Sequence, residues 1–318
     1  MKAGDLARYR ALFRKPTYAK YRGYGVWGMG GSSSGGTTVG EALNIMEQFP
    51  LRRMTTAQRL HVYLESSALA FADRAKYLGD PAYVNVPRST LLSDRYAASR
   101  ACSIDLSKAM TKPTAAGDVH SFDPTCGRSS SASSARQADT ENVETTNLTV
   151  TDKWGNVVEY TLTIEQTGGS GMLLKGRGFL LNNELTDFSA TYDPNDPNRI
   201  DPGKRPRSSM SPTIITTVLQ MIHNRIDRQM TLPQTIADSR GSQRNTASVS
   251  AEPEFIEKYG ALLTPLGHQL TPSGDKFTSA SEIGAATAIA FKKRGYLVAV
   301  SEPRRRGGGS ALVVRRHR

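Results

Sequence analysis

The stretch that decides the fold is Glu144-Thr145-Thr146-Asn147-Leu148-Thr149-Val150. Its apolar residues alternate with polar ones, which is the period-two pattern of a strand with one buried face. Residues 152–156 have the composition of a turn, and residues 157–164 predict a returning antiparallel strand. When the strands are paired across this turn, Thr145 lies opposite Thr163, and such neighbours have Cβ atoms roughly 4.5–5.5 Å apart. The sequence therefore predicts two threonine hydroxyls within hydrogen-bond reach at the open end of a hairpin.

A threonine-rich edge of an ordinary hairpin is the simplest interpretation, because threonine is a good strand former. The segment before the hairpin favours a different interpretation, in which the chain cleaves itself. Residues 129–141 form a polar run without apolar periodicity, which predicts a flexible and exposed segment. A flexible segment that ends at a threonine-led strand is what a self-cleaving precursor requires. The new chain end must be free to leave, while the threonine must stay on a rigid sheet.

Composition narrows the class of protein. With 318 residues, of which 38% are hydrophobic, the chain can bury a full core. No apolar run approaches the roughly 18 residues of a membrane span, and no signal peptide is visible at the N-terminus. The net charge of +12 suits nucleic acid, an anionic surface or an acidic substrate. The basic residues are scattered without a nucleic-acid fold signature, so a solvated basic surface is predicted, and a nucleic-acid-binding protein is the alternative based on charge alone.

No metal site and no cofactor are predicted. Cys102 and Cys126 lack the spacing of metal ligands and could form one disulfide or none; we predict unpaired thiols. The Ser/Gly loop at 32–38 could cradle a phosphate at a helix start, but it lacks the lysine of a P-loop. It is interpreted as a turn with a helix N-cap. His61 lies beside an apolar helical stripe and is predicted to be a structural or surface histidine.

Periodicity predicts the remaining elements of secondary structure. The predicted helices cover a short stretch near residue 5 and residues 35–49, 55–78, 93–100, 214–226 and 253–263. The predicted strands cover residues 21–28, 178–181, 285–291, 296–300 and 311–314. Nothing between residues 102 and 141 predicts a packed element. These elements indicate a layered α+β protein.

Several long motifs occur in the order in which they are found in the γ-glutamyltranspeptidases, also called glutathione hydrolases. The motifs are Glu144–Thr146, Asp152–Asn156, Tyr160–Gly169, Gly178–Phe188 and Arg205–Thr213. The resemblance extends over residues 5–78, weakens through 100–140, and resumes over 141–314. It implies an incomplete αββα four-layer sandwich of the N-terminal-nucleophile hydrolase type. Residues 1–144 would be the C-terminal half of the large subunit, with a flexible linker at 101–144, and residues 145–318 would be the small catalytic subunit.

The resemblance also implies the chemistry. The chain would cleave itself between Glu144 and Thr145, and Thr145 would then be the nucleophile of the enzyme. A threonine hydroxyl needs a nearby base. The α-amino group that cleavage releases has an unperturbed pKa of roughly 7.7–8.0 and can serve as that base. Thr163 matches the residue that orients the nucleophile.

Substrate recognition follows from the two charges of a γ-glutamyl group. Glu165, Glu184 and Asp187 match positions that hold its α-ammonium, and Ser208 and Ser209 match the pair that donates to its α-carboxylate. The implied donors are glutathione and other γ-glutamyl compounds, and the acceptor is water or the amine of an amino acid or dipeptide. The implied assembly is a heterodimer of the two cleavage fragments. By resemblance the protein is periplasmic or secreted, with no nucleic acid partner and no membrane span.

Three departures from the family pattern lead to alternatives. Thr213 runs directly into the next helix, where the family has a Pro-Gly-Gly turn whose amides form the oxyanion hole, and losing one such donor typically costs about 10²–10³ in turnover. The large subunit of the family is already half over where this chain begins. Glu165 stands where many members have Asn. The alternatives are a catalytically impaired paralogue or fragment, and a related acylase.

Overall fold

The computed structural model of the chain describes residues 3–126, 144–210, 215–274, 282–292, 296–305 and 309–313. Its helices are α1 (Ala3–Arg8), α2 (Gly35–Glu47), α3 (Thr56–Tyr77), α4 (Arg88–Leu91), α5 (Asp94–Ala101), α6 (Ile215–Ile226), α7 (Leu232–Ala237) and α8 (Pro253–Leu263). Its strands are β1 (Thr17–Tyr21), β2 (Tyr24–Gly28), β3 (Glu144–Thr151), β4 (Val157–Glu165), β5 (Gly241–Ser242), β6 (Val249–Ala251), β7 (Leu270–Pro272), β8 (Ala288–Phe291) and β9 (Leu297–Val300).

The strands form small sheets. β1 pairs with β2, β3 with β4, and β8 with β9, each antiparallel, while β6 lies between antiparallel β5 and parallel β7. The mixture of helices with mainly antiparallel strands confirms the predicted α+β class. The predicted strand at 311–314 is absent from residues 311–313 as the structure describes them, and the predicted strand at 178–181 is reduced to a single bridge between Leu173 and Leu180.

Helix α3 is the centre of the core, and its start and end follow the predicted signals. Thr55 caps it: the Gln58 amide donates to Thr55 Oγ1 at 3.2 Å, and the Thr55 amide donates to Gln58 Oε1 at 3.1 Å. Such a capping box stabilises a helix by about 1 kcal/mol. The helix ends before the Gly79-Asp80-Pro81 sequence, which cannot continue it.

Helix α2 packs against both α3 and the β1–β2 hairpin. A Cβ on Gly36 would lie 2.3 Å from Thr17 Oγ1 and 2.5 Å from the Met29 carbonyl oxygen, so only glycine permits this approach. The predicted side-chain N-cap is wrong. Ser34 precedes the helix without capping it, and its hydroxyl donates to the Ser208 carbonyl at 2.8 Å instead.

The predicted strand at 21–28 is wrong in its first half, because the chain reverses direction there. Arg22 and Gly23 have φ values of 49° and 87°, which is the backbone of a tight hairpin turn, and Tyr21 pairs with Tyr24 across it. The aromatic and β-branched residues on both sides of the turn concealed it in the sequence, since an arginine is an uncommon residue at positive φ.

The apolar core combines side chains from both sides of the Glu144–Thr145 bond. Leu43 and Leu64 come from α2 and α3, and Leu219 and Phe255 come from α6 and α8; all four are at most 1% exposed. Fully burying one such side chain contributes roughly 1.5–3 kcal/mol. The two segments therefore share one core.

Parts of residues 101–126 pack against this core and against a smaller apolar cluster beside it. The prediction of unpaired thiols is wrong, because Cys102 and Cys126 form a disulfide with Cα atoms 5.3 Å apart. Ile104 and Val119 are buried, and the Met110 amide donates to Glu65 Oε2 at 2.8 Å. The segment lacks apolar periodicity because hydrogen bonds to α3 hold much of it. The rest of the predicted linker, 127–143, lies outside the described residues, and the division of the chain at residue 144 stays a prediction.

Candidate functional site

The β3–β4 hairpin has the predicted register. Thr151 pairs with Val157 and Thr145 with Thr163, and Thr145 Oγ1 lies 3.3 Å from Thr163 Oγ1. Thr163 Oγ1 also accepts from the Glu165 amide at 2.8 Å, which fixes its rotamer. Thr145 is exposed at the open end of the hairpin. An exposed hydroxyl held beside a fixed second hydroxyl can act as an oriented nucleophile once a base is supplied.

The polar face of the hairpin continues away from these threonines. Asn147 Nδ2 donates to Thr161 Oγ1 at 3.2 Å, and Asn147 Oδ1 accepts from Thr287 Oγ1 at 3.3 Å. The opposite face is apolar and half-exposed, with Leu148, Val150, Val158, Tyr160 and Leu162. The predicted alternation is therefore present, but the predicted burial of the apolar face is wrong. That face is the more exposed one, and the threonine-bearing face is turned toward the chain near β8.

Glu165 is the central acid of the site. It ends β4 with a φ of 79°, an uncommon and strained conformation for a residue with a side chain, and strain of this kind concentrates at functional sites. Its side chain is 5% exposed, and neither carboxylate oxygen has a well-formed hydrogen bond. Burial and the neighbouring Asp187 raise the pKa of Glu165 to about 7, against a partial lowering by Asn183 and Thr186. A buried carboxylate of this kind is suited to receive a cation.

Glu184 and Asp187 lie on a single 3₁₀ turn, residues Glu184–Asp187. Asn183 attaches this turn to the end of β4, since its amide donates to the Ile164 carbonyl at 3.2 Å. Burial first, and then the charges of Asp187 and Glu165, raise the pKa of Glu184 to about 7. The structure thus brings the three predicted acids together beside Thr163.

Ser208 and Ser209 lie in a different part of the fold, beside the loop before α2. The Ser208 carbonyl accepts from the Ser34 amide at 2.9 Å, and Ser209 Oγ accepts from Arg74 Nη2 at 2.9 Å. Between the described side chains of these serines and those of the hairpin, no hydrogen bond is formed. They are predicted site residues that the structure places next to the loop before α2.

Asn198 connects the two parts of the site, and sequence reasoning missed it. This residue is 1% exposed; its Nδ2 donates to the Asp187 carbonyl at 2.7 Å, and its Oδ1 accepts from the Arg207 amide at 2.8 Å. One side chain therefore ties the acid-bearing turn to the segment that leads into Ser208. The Asp-Pro-Asn-Asp-Pro-Asn composition indicated only a loop. Arg74 and Ser34 were missed as well, because a helical arginine and a turn serine carry no distinctive signal.

One group in the described part of the chain has the donor set of a metal site: His61, Glu65 and His268, all buried. Its ligand atoms already have partners. His61 Nδ1 and His268 Nε2 are 2.8 Å apart in a hydrogen bond, and the Lys112 ammonium donates to Glu65. A cation thus already neutralises the carboxylate, and the group serves as a hydrogen-bonded clamp between α3 and residues 105–112. His61 is buried, which confirms the structural role predicted for it.

Comparisons with known proteins bear on this site. A profile of the family described as gamma-glutamyltranspeptidase matches residues 1–217 and 213–312. The chain is 34% identical to the glutathione hydrolase proenzyme of Escherichia coli (strain K12) over 94% of this chain and 53% of that protein. It is 32% identical to the proenzyme of the same name from Bacillus subtilis (strain 168), over 98% of this chain and 55% of that one.

Among solved structures, cephalosporin acylase from Bacillus halodurans superposes with a TM-score of 0.78 at 26% identity, covering 99% of this chain and 56% of the acylase. The chain spans about half the length of the curated relatives it matches. No helix in the ranges that the structure describes is long and apolar enough to cross a bilayer.

Proposed function

Because the chain belongs to the γ-glutamyltranspeptidase family, we propose that it cleaves itself before Thr145 and then acts as a γ-glutamyltransferase and glutathione hydrolase. One observation carries the proposal: Thr145 Oγ1 lies 3.3 Å from Thr163 Oγ1, beside an acidic cluster formed by Glu165, Glu184 and Asp187. The cluster supplies negative charge and the threonine supplies a nucleophile.

Self-cleavage would begin with attack of Thr145 Oγ on the carbonyl carbon of Glu144. The C–N bond breaks as the C–O bond forms, so that the acyl group moves from nitrogen to oxygen. Water then hydrolyses this ester, which leaves a carboxylate on Glu144 and a free α-amino group on Thr145. The amine has an ordinary pKa of roughly 7.7–8.0, close to the working pH, where a general base is most effective.

Acyl transfer would use the same hydroxyl. The amine takes the Oγ proton as Oγ attacks the γ-carbonyl of the donor, and the proton passes to the departing amine, which is cysteinylglycine when the donor is glutathione. Thr163 holds Thr145 Oγ1 in place through the hydrogen bond between the two hydroxyls. Water or an acceptor amine then attacks the γ-glutamyl ester and releases Thr145 for another cycle.

A related acylase is the second candidate function, because the chain is structurally similar to cephalosporin acylase. The charge of the donor distinguishes the two functions. A γ-glutamyl donor ends in an ammonium and a carboxylate, whereas a glutaryl donor ends in a carboxylate alone. Three clustered acids stabilise an ammonium and repel a lone carboxylate. The acidic cluster therefore favours the γ-glutamyl donor.

The experiment compares a γ-glutamyl anilide with a glutaryl anilide, using the purified chain and its Thr145→Ala variant. We expect the chain to release the chromophore from the γ-glutamyl compound at least about tenfold faster, since one ammonium–carboxylate contact is worth this much or more. Turnover of the glutaryl compound at an equal or higher rate would identify an acylase. No turnover of either compound would overturn the proposal in favour of an impaired paralogue. Turnover that survives in Thr145→Ala would overturn it by showing that Thr145 is not the nucleophile.

The disulfide bears on where the chain matures. Both cysteines are paired, and disulfides persist in oxidising compartments rather than in the reducing cytosol. We therefore propose that the protein is periplasmic or secreted. Detection of the Cys102–Cys126 peptide by mass spectrometry in an exported fraction tests this localisation.

A further inference from the structure

We infer that Arg74 is a positioning residue that prepares Ser208 and Ser209 to receive the α-carboxylate of the donor; the inference rests on the proposed function. Arg74 lies on α3 and is 2% exposed. Its guanidinium is aimed at the loop before α2 and at the Ser208–Ser209 pair. No motif of the sequence singled out this residue.

Arg74 contacts Ser209 directly and Ser208 through an intermediate. Nη2 donates to Ser209 Oγ at 2.9 Å, while Nε donates to Ser34 Oγ at 2.8 Å. The Ser34 hydroxyl in turn donates to the Ser208 carbonyl at 2.8 Å, and the Ser34 amide donates to the same oxygen at 2.9 Å. One planar guanidinium thus sets the position of two consecutive residues.

These bonds decide which way the serine protons can point. A hydroxyl has one proton to donate and two lone pairs that accept. Ser209 Oγ accepts from Arg74, and Ser208 Oγ accepts from the Met210 amide at 3.2 Å. Each oxygen is used as an acceptor by the protein, so each proton is left to donate to a ligand. Both serines are half-buried rather than fully enclosed, which leaves room for that ligand.

The charge of Arg74 makes donation from the serine hydroxyls to a carboxylate more favourable. A hydrogen bond from a cation is stronger than a neutral one, and it polarises the hydroxyl that accepts it into a better donor. The guanidinium also adds positive potential in a poorly hydrated region, where a carboxylate is attracted more strongly than in water. Its Cζ lies over the Phe71 ring, 5.6 Å from the centroid, and this contact restricts the orientation of the guanidinium. The Arg207 guanidinium donates to the Arg74 backbone carbonyl at 2.9 Å and so holds the end of α3 that carries Arg74.

A lysine cannot reproduce this arrangement. An ammonium group is a compact point charge, whereas the two contacts of Arg74 come from separate nitrogens of a rigid fork. Arg74→Lys therefore keeps the charge but loses at least one of the two contacts. The variant separates the positioning role from the mere presence of a cation.

The decisive experiment is a double-mutant cycle on hydrolysis of a γ-glutamyl anilide, with Arg74→Lys, Ser209→Ala and the double variant. We expect each single change to raise KM about tenfold with kcat changed less than about threefold. Ser209→Ala removes a hydrogen bond to the donor carboxylate, and Arg74→Lys misplaces the hydroxyl that makes this bond. The double variant should be hardly worse than either single one, since Ser209→Ala removes the hydroxyl through which Arg74 acts on the carboxylate.

A second measurement uses 4-aminobutyryl anilide as a competitive inhibitor, because it keeps the ammonium and lacks the α-carboxylate. Its inhibition constant should stay within about twofold in Arg74→Lys, since the lost contact concerns only the carboxylate. Ser67→Ala is the matched control: Ser67 lies on the same helix, and its hydroxyl donates to the Gln243 carbonyl at 2.6 Å. This control should lower the melting temperature without changing KM.

Two results would overturn the inference while the proposed function stands. Either the KM effects of Arg74→Lys and Ser209→Ala multiply to about a hundredfold, or the inhibition constant of the carboxylate-free compound rises as much as KM. If Arg74→Lys does not fold, Ser34→Ala replaces it, because that change removes the hydroxyl that joins Arg74 Nε to the Ser208 carbonyl and leaves the Arg74–Ser209 bond in place. A wild-type chain that neither cleaves itself nor hydrolyses the anilide overturns the proposed function and this inference together.

Discussion

At the scale of single residues, the proposed chemistry depends on two hydroxyls and three carboxyls that the chain holds close together. Thr163 contacts both the Thr145 hydroxyl and the Glu165 amide, and so links the nucleophile to the acidic cluster. Burial first, and then the charges of the neighbouring carboxylates, raise the pKa values of Glu165 and Glu184 to about 7. These values place both groups where small changes of pH alter their charge.

The first prediction concerns Thr163→Val, which keeps the shape and removes the hydroxyl. We expect self-cleavage and anilide hydrolysis to slow by about 10²-fold, because an unoriented nucleophile loses much of its advantage. The measurement is the rate of appearance of the fragments on a denaturing gel. Thr161→Val on the same strand is the control and should retain most of the rate. A Thr163 variant as fast as the control would contradict the assigned role.

The second prediction concerns pH and Glu165. Above pH 7 Glu165 and Glu184 lose protons, so negative charge in the cluster grows and an ammonium binds better. We expect KM for a γ-glutamyl anilide to fall severalfold between pH 6 and pH 8, and to fall much less in Glu165→Gln. Identical pH profiles of KM in the two proteins would show that the acid does not contact the donor.

The free energy of unfolding should fall over the pH range in which donor binding improves. An acid whose pKa is raised on folding binds its proton more tightly in the folded state, so its contribution is present at low pH and is lost as pH rises through 7. Glu165→Gln should therefore raise the free energy of unfolding at pH 8, by on the order of 1 kcal/mol after allowance for screening, and less at pH 5. Urea unfolding at the two pH values measures this difference.

At the scale of elements, the features that the sequence predicted correctly are those that depend on periodicity. The β3–β4 register follows from alternation and a five-residue turn, and α3 follows from its capping residue and apolar stripe. Contacts between distant polar residues left no such signal. Asn198, Arg74 and the Cys102–Cys126 pair act through geometry that only the folded chain defines. The β1–β2 turn was missed because its arginine adopts positive φ against its usual preference.

The third prediction concerns the disulfide between Cys102, which directly follows α5, and Cys126. Its loop spans 24 residues, for which loop-closure entropy gives a contribution of about 3 kcal/mol to the free energy of unfolding. Cys102→Ser should lose about this amount in urea unfolding. Reductant should lower the melting temperature of the wild type and leave that of the variant unchanged. A wild type that is insensitive to reductant would contradict the pairing.

At the scale of the whole molecule, the apolar core joins the two segments that cleavage before Thr145 would separate. Buried side chains of α2 and α3 pack against those of α6 and α8, while the disulfide lies entirely before residue 144. Association of the two fragments would therefore depend on burial and hydrogen bonds, including the contacts of Ser34 and Arg74 with the Ser208–Ser209 pair.

The fourth prediction follows from this arrangement. After self-cleavage the two fragments should co-elute in gel filtration under native conditions, since the shared apolar core holds them together. They should separate on a denaturing gel without any reductant, because no disulfide joins them. Fragments that separate in native buffer would mean that the core across the cleavage point is much weaker than the structure indicates.

The most direct test of the central claim is the intact mass of the purified chain, combined with N-terminal sequencing and with the Thr145→Ala variant as control. We predict two fragments whose masses sum to that of the chain plus one water, with Thr145 as the new N-terminal residue, and an uncleaved variant. A wild-type chain that remains whole, or a cut at any other bond, would contradict the claim that Thr145 is a self-released nucleophile.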